Sequence, residues 1–109
     1  MNQVIPLQNG RFKSDVLDSP EPVLVYFGAE WCGVCREVEF RIHRLAGEFA
    51  GRARFVHVDV DAHPLLAAQY GVLSVPSVMI IHRGAIVQGW NSLPAPHAMT
   101  RGLERALAS

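Results

Sequence analysis

Residues 23–35 read Val23-Leu24-Val25-Tyr26-Phe27-Gly28-Ala29-Glu30-Trp31-Cys32-Gly33-Val34-Cys35. Val23–Gly28 is almost continuously apolar and rich in β-branched and aromatic side chains, the pattern of a strand buried on both faces. A helix is expected to follow over Cys32–Phe49. Its apolar residues Val34, Val38, Ile42, Leu45 and Phe49 are spaced by 4, 4, 3 and 4, which puts them on one stripe. Glu37 with Arg41 and Arg44 with Glu48 are i,i+4 opposite-charge pairs that would support its outer face, and Gly51 is a stop signal. Both cysteines of the chain therefore fall where a buried strand hands over to a helix.

Working outward, Gln3–Leu7 alternates weakly and predicts a short edge strand. Arg11–Asp18 predicts a helix with Phe12, Val16 and Leu17 on one face, ended by Ser19-Pro20-Glu21-Pro22 because proline cannot continue a helix and restricts its predecessor. Arg54–Val60 alternates as a second buried strand. Asp61-Ala62-His63-Pro64 opens a helix, with Asp61 or His63 as cap and Pro64 in the first turn, that runs to Tyr70 and stops at Gly71. Ser77–His82 and Ala85–Trp90 form a hairpin around Arg83-Gly84. A last helix, Pro96–Leu107, turns Met99, Leu103, Ala106 and Leu107 inward. The class is α/β: one domain over 1–109, with a central mixed sheet flanked by helices on both faces. Strand–helix–strand units supply parallel pairs and the final hairpin supplies an antiparallel edge.

A chain of 109 residues fits one domain, and a hydrophobic half with 18% charged residues can bury a core. Ten cationic residues balance ten acidic ones. No net field draws the chain to nucleic acid or to an anionic membrane surface, so neither is expected as a partner. Aliphatic runs such as Val23–Val25 and Val78–Ile81 are far too short to cross a bilayer. The first twenty residues hold no apolar core of a secretory signal, so a cytoplasmic location is expected.

Cys32 ends a loop and begins a helix. Unpaired N–H groups of a first turn and the helix dipole favour an anion there, and the thiolate is the reactive form of cysteine. Cys35 lies one turn further in and is more shielded. Cys32 is thus the candidate to attack a disulfide and Cys35 the candidate to resolve the mixed disulfide. Two alternatives accompany this reading. The thiols could be half of a zinc site, but that needs about four ligands. His43 lies on the same helix, and His57 and His63 lack the usual ligand spacing, so no metal is expected. The cysteines could also simply pack as small apolar groups.

Phe27–Cys35, Val58-Asp59-Val60-Asp61, Tyr70-Gly71-Val72, Val75-Pro76-Ser77 and the hairpin Gly84 together resemble the thioredoxin family over essentially the whole chain. The resemblance implies the thioredoxin fold and thiol–disulfide oxidoreductase activity on protein disulfides. It implies no cofactor beyond a redox-active Cys32–Cys35 disulfide, a thioredoxin reductase as electron source, and a monomer. It also implies a cis Val75–Pro76 bond facing the dithiol. Substrate would pair with the backbone of Val75 and dock on Trp31, Gly33, Val34, Pro76 and the Trp90–Leu93 loop with Ser92. For Trp31 and Trp90 the alternative is partial core packing.

Several positions depart from the family pattern. Tyr26 stands where the family usually has a buried Asp that helps deprotonate the resolving cysteine. A phenol with a pKa near ~10 cannot be that base at neutral pH. His57 stands for a Lys on the neighbouring strand and titrates near neutrality. His57 is therefore the proton-acceptor candidate for Cys35, directly, through water or through Tyr26; a packing hydrogen bond to Tyr26 is the alternative. Val34 replaces Pro and adds an N–H near Cys32, which points to a weaker reductant than thioredoxin at about −270 mV. Phe40 replaces a helix-kinking Pro and is expected to pack under Arg36 and Arg44 by cation–π contact or to meet a partner. Ser92 replaces a Gly in the docking loop and points to a narrower partner range. Glu30 is expected in solvent, and His43, His63, His82 and His97 at surface or turn positions. Two competing functions are a binding or chaperone-like module on the same fold, and an oxidant or isomerase of an oxidising compartment.

Overall fold

The structure, a computed structural model, describes residues 3–109. Five strands, β1 (Val4–Pro6), β2 (Val23–Gly28), β3 (Arg54–Asp59), β4 (Ser77–His82) and β5 (Ala85–Trp90), form one sheet in the order β1-β3-β2-β4-β5. The helices are α1 (Cys35–Glu48), α2 (Pro64–Gln69) and α3 (Ala98–Ala108).

Side chains of β2 alternate between two apolar layers, as the pleat requires. Leu24 and Tyr26 join Val38, Ile42 and Leu45 of α1, Phe49 just after it, and Met99, Leu103 and Ala106 of α3 on one face. Val23, Val25 and Phe27 face the other side, with Val16, Val56, Val58 and Ala67. All six residues of β2 are buried, so the continuous apolar run has its reason. Burying each such side chain contributes about 1.5–3 kcal/mol. Removing the fully buried Phe27 ring would cost about 3–5 kcal/mol.

The strand–helix–strand expectation holds for β2 and β3, which pair in parallel with Tyr26 opposite His57. It fails for β4, which runs antiparallel to β2 with Ser77 opposite Phe27. The reason is length. Six-residue α2 spans only about 9 Å, less than half of the roughly 20 Å of a six-residue strand. The chain leaves β3 and starts β4 at the same end of the sheet, so it returns in the opposite direction.

Other boundaries also shift. The Arg11–Asp18 helix is present but short and widened: Lys13–Leu17 is a π-helix, where the Asp18 N–H reaches back five residues to the Lys13 carbonyl at 2.8 Å. α1 begins three residues later than expected, and Val34 leaves its apolar stripe for solvent. Arg41 pairs with Glu37 at 2.9 Å, whereas Arg44 and Glu48 form no ion pair among the described residues. Arg41 also donates to the Pro94 carbonyl at 3.0 Å and ties α1 to the segment before α3. His63 caps α2, with Pro64 opening the helix, and its Nε2 lies 3.1 Å from the Leu7 carbonyl oxygen. α3 starts at Ala98, and Leu107 is exposed rather than inward. Gly102 fills that inner face instead. A Cβ there would sit 2.7 Å from Ile80 Cδ1, so glycine lets α3 lie directly on β4.

Candidate active site

β2 and β3 end, and β4 begins, at one end of the sheet, and the dithiol lies in the loop leaving β2. Cys32 and Cys35 form a disulfide with Cα atoms 5.3 Å apart. The Cys32 N–H bonds the Ala29 carbonyl at 3.2 Å, and Arg36 and Glu37 donate to the carbonyls of Gly33 and Val34, each at 3.2 Å. These short-range bonds tighten the first turn and carry Cys32 just ahead of the helix proper. Cys35 is fully buried, and Cys32 keeps 8% of its surface exposed. The Cys35 N–H donates to Cys32 Sγ at 3.2 Å. Among the described residues that donor is Cys35, not Val34. An N–H aimed at a sulfur at the positive end of a helix is what a thiolate requires.

The surface around the dithiol is apolar and exposed. Trp31 is 68% and Val34 56% exposed, and Gly33 faces open space. Trp31 therefore does not pack into the core, while Trp90 does so in part. The Trp31 indole N–H donates to Asp61 Oδ2 at 2.8 Å, and the Asp61 N–H donates to Asp59 Oδ1 at 2.9 Å. The residue read as a possible helix cap thus fixes the tryptophan beside Cys32, a role the spacing did not reveal. Val75–Pro76 is cis. Val75 packs against the apolar layer that contains both cysteines, and Pro76 is buried. Ser77 Oγ donates to the Ser74 carbonyl at 2.8 Å, and Ser74 Oγ to the Asn91 carbonyl at 3.5 Å. The loop before Pro76 is thereby linked to the loop that exposes Ser92.

A cleft of about 270 Å³ opens beside the disulfide, lined by Ala29, Glu30, Cys32, Arg36, Glu39, His57 and Asp59. At its back, Tyr26 Oη donates to Glu39 Oε2 at 2.8 Å. The expected alternative of a His57–Tyr26 hydrogen bond is not what forms. The two rings stack instead, with centroids 4.7 Å apart and planes inclined by 26°, because parallel register sets the side chains face to face. His57 Nε2 is buried without a hydrogen-bond partner among the described residues. Burial pushes the His57 pKa down, while Glu39 and Asp59 pull it up and His43 lowers it further. Burial, followed by the Glu39 bond, pushes the Tyr26 phenol far above its ordinary value. It stays protonated and acts as a donor. Glu39 was not among the sequence candidates. The signal was present: it lies four residues after Cys35, on the same helix face.

Phe40 is 65% exposed. Its expected packing under Arg36 and Arg44 is not found, and the cation–π contact in this helix region is Arg52 over Phe49 at 4.7 Å. Among the described residues no group of three or more His, Cys, Asp or Glu is placed to hold a metal ion. No helix among them is long and apolar enough to cross a membrane.

Comparison with known proteins agrees with this geometry. The chain is 40% identical over 84 residues to thioredoxin 1 of Nostoc sp., covering 77% of this chain and 78% of that one. It is 37% identical over 87 residues to a thioredoxin of Haemophilus influenzae, covering 80% and 81%. It is 41% identical over 76 residues to a thioredoxin of Chlorobaculum thiosulfatiphilum, covering 70% of each. The family model described as thioredoxin matches residues 3–101. A fold, a dithiol and a sequence pattern that agree over nearly the whole length place this chain in the thioredoxin family, and it is a dithiol–disulfide oxidoreductase.

Proposed function

We propose that the chain reduces disulfides of protein substrates with Cys32 as nucleophile and Cys35 as resolving thiol. It does so as a cytoplasmic monomer, recharged by a thioredoxin reductase. The observation that carries the assignment is the asymmetry of the pair: Cys32 keeps 8% of its surface open and accepts the Cys35 N–H at 3.2 Å, while Cys35 is sealed in the core. Cys32 thiolate attacks one substrate sulfur, the substrate S–S bond breaks, and the departing substrate thiolate takes a proton. Cys35 then loses its proton and attacks Cys32 Sγ. The second substrate thiol leaves, and two electrons have passed from the dithiol to the substrate.

Exposed Trp31 and Val34, with the backbone of Val75 beside buried Pro76, support an extended substrate segment docking across the dithiol. The chain's two cysteines both belong to this one motif, as suits a reducing compartment. The direct test is dithiothreitol-driven reduction of insulin disulfides with Cys32→Ser as control. Turnover that disappears in the variant supports the proposal. Absence of turnover in the parent protein favours a binding module on this fold.

A further inference from the structure

In each turnover the Cys35 thiol must give up a proton before its sulfur can attack. Cys35 is fully buried, so bulk water is not at hand to take that proton directly. A group of the protein beside the dithiol can take it instead. Three independent observations point to the same place.

The first is position. Glu39 lies one helical turn beyond Cys35 on the same face of α1 and lines the cleft that reaches Cys32. The second is anchoring. The Tyr26 hydroxyl holds the Glu39 carboxylate at 2.8 Å, and the same ring stacks on His57 at 4.7 Å. Gly28 makes room for this, because a Cβ there would collide with the Tyr26 hydroxyl. The third is an orphan. His57 Nε2 is buried without a partner among the described residues, while His57 lines the cleft with Glu39 and Asp59. A buried ring nitrogen left unbonded is costly, so it calls for a reason.

We infer that Glu39 and His57 are the proton-exchange pair of the dithiol. His57 takes the proton that leaves Cys35, and Glu39, held by Tyr26, is the positioning residue that favours this transfer. The inference rests on the dithiol chemistry proposed above. The Cys35 S–H bond breaks and its proton ends on His57 Nε2. The freed sulfur lone pair makes the Cys32–Cys35 bond, and the electrons of the broken mixed disulfide leave on the substrate sulfur. The imidazolium then releases its proton through the cleft to solvent. Nothing is oxidised or reduced beyond the dithiol and the substrate disulfide.

The groups that face His57 are few. Tyr26 comes from β2, Asp59 from its own strand, Glu39 and His43 from α1, and Glu30 and Arg36 line the shared cleft. β1 places Pro6, which does not titrate, opposite His57. Glu39 and Asp59 favour the charged ring, whereas burial and His43 oppose it. Removing the Glu39 charge therefore shifts the balance toward the neutral ring and weakens His57 as a base.

The test is the rate of mixed-disulfide resolution between about pH 5.5 and 8.5, read by stopped-flow Trp31 fluorescence in the parent protein, Glu39→Gln, His57→Gln and Tyr26→Phe. The parent rate should rise with pH as His57 becomes neutral. Glu39→Gln should move that midpoint down by about one pH unit and lower the plateau. His57→Gln should abolish the limb and slow resolution at neutral pH on the order of a hundredfold. Tyr26→Phe keeps the ring and removes only the donor, so it should shift the midpoint in the Glu39→Gln direction by less. Parent-like profiles in Glu39→Gln and His57→Gln would overturn the inference. Insulin turnover by the parent protein separates the two levels: turnover with unchanged variant profiles sinks only the proton pair, and no turnover sinks both.

Discussion

Tyr26 and Glu39 are joined by a 2.8 Å hydrogen bond between the middle of the central strand and the second turn of α1. The bond fixes α1 on the sheet at the level of the dithiol. It also explains why a tyrosine can occupy the middle of a fully buried strand: its hydroxyl has a charged acceptor. A hydrogen bond to a charged group contributes more than one between neutral groups. Tyr26→Phe should lower the stability of the oxidised protein by about 1–2 kcal/mol, or roughly 4–12 °C in Tm. Urea or thermal unfolding at pH 7 measures it, and a loss below about 0.3 kcal/mol would mean that the bond is replaced by water at no cost.

The perturbed groups give the stability a shape against pH. Folding lowers the His57 pKa, so below its ordinary value near 6.5 the unfolded chain binds more protons than the folded one. Stability then rises with pH through that window and falls on acidification, until the folded ring is itself protonated. Folding raises the Tyr26 pKa, so its contribution is fully present below pH ~10 and is lost as the unfolded phenol ionises above that value. Denaturation curves of the parent, His57→Gln and Tyr26→Phe proteins over pH 5–11 would show each slope vanish with its residue. An unchanged slope in a variant would reassign it to another group.

Gly28 and Tyr26 share a face of β2, and a Cβ at residue 28 would overlap the phenol. Gly28→Ala should therefore destabilise by roughly 1–3 kcal/mol through overpacking. In a Tyr26→Ala background the same change should cost much less, because the obstruction is gone. The signature is a coupling energy of at least about 0.5 kcal/mol in the double-mutant cycle. Additive losses would mean that Gly28 serves backbone conformation alone.

Asp61 accepts the indole N–H of an otherwise exposed Trp31. Asp61→Ala should leave stability within about 0.5 kcal/mol while freeing the ring. kcat/KM toward a protein disulfide should fall roughly two- to tenfold, as one hydrogen bond of about 0.5–1.5 kcal/mol allows. A small dithiol-reactive probe that does not use the indole should react at the parent rate. Equal losses on both substrates would place Asp61 in the chemistry instead of in docking.

Legibility in the sequence followed the strength of the local pattern. The β2 run, the Val38–Ile42–Leu45–Phe49 stripe and the hairpin turn at Gly84 were readable because burial imposes period and composition. The direction of β4 was not, because a strand–helix–strand string does not say that α2 is too short to cross the sheet. Val34 and Leu107 matched a helical stripe and yet face solvent, since spacing says nothing of where the partner surface ends. The dithiol was legible from its place after a buried strand. Its surroundings were not: Glu39 meets Tyr26 only through α1 packing on β2, and Asp61 meets Trp31 across 30 residues of chain. A Tyr where a carboxylate was expected and a Glu four residues past Cys35 were both in view, and only the tertiary fold joins them.

The proposed division of labour between Cys32 and Cys35 can be read from the mixed disulfide that each variant traps. Reduced Cys35→Ser and Cys32→Ser proteins would each be mixed with a disulfide-bonded protein substrate, quenched with acid and analysed by mass spectrometry. A covalent substrate adduct through Cys32 is expected in Cys35→Ser and none in Cys32→Ser. An adduct of comparable yield through Cys35 in Cys32→Ser would contradict it, because the buried thiol would then be able to start the exchange.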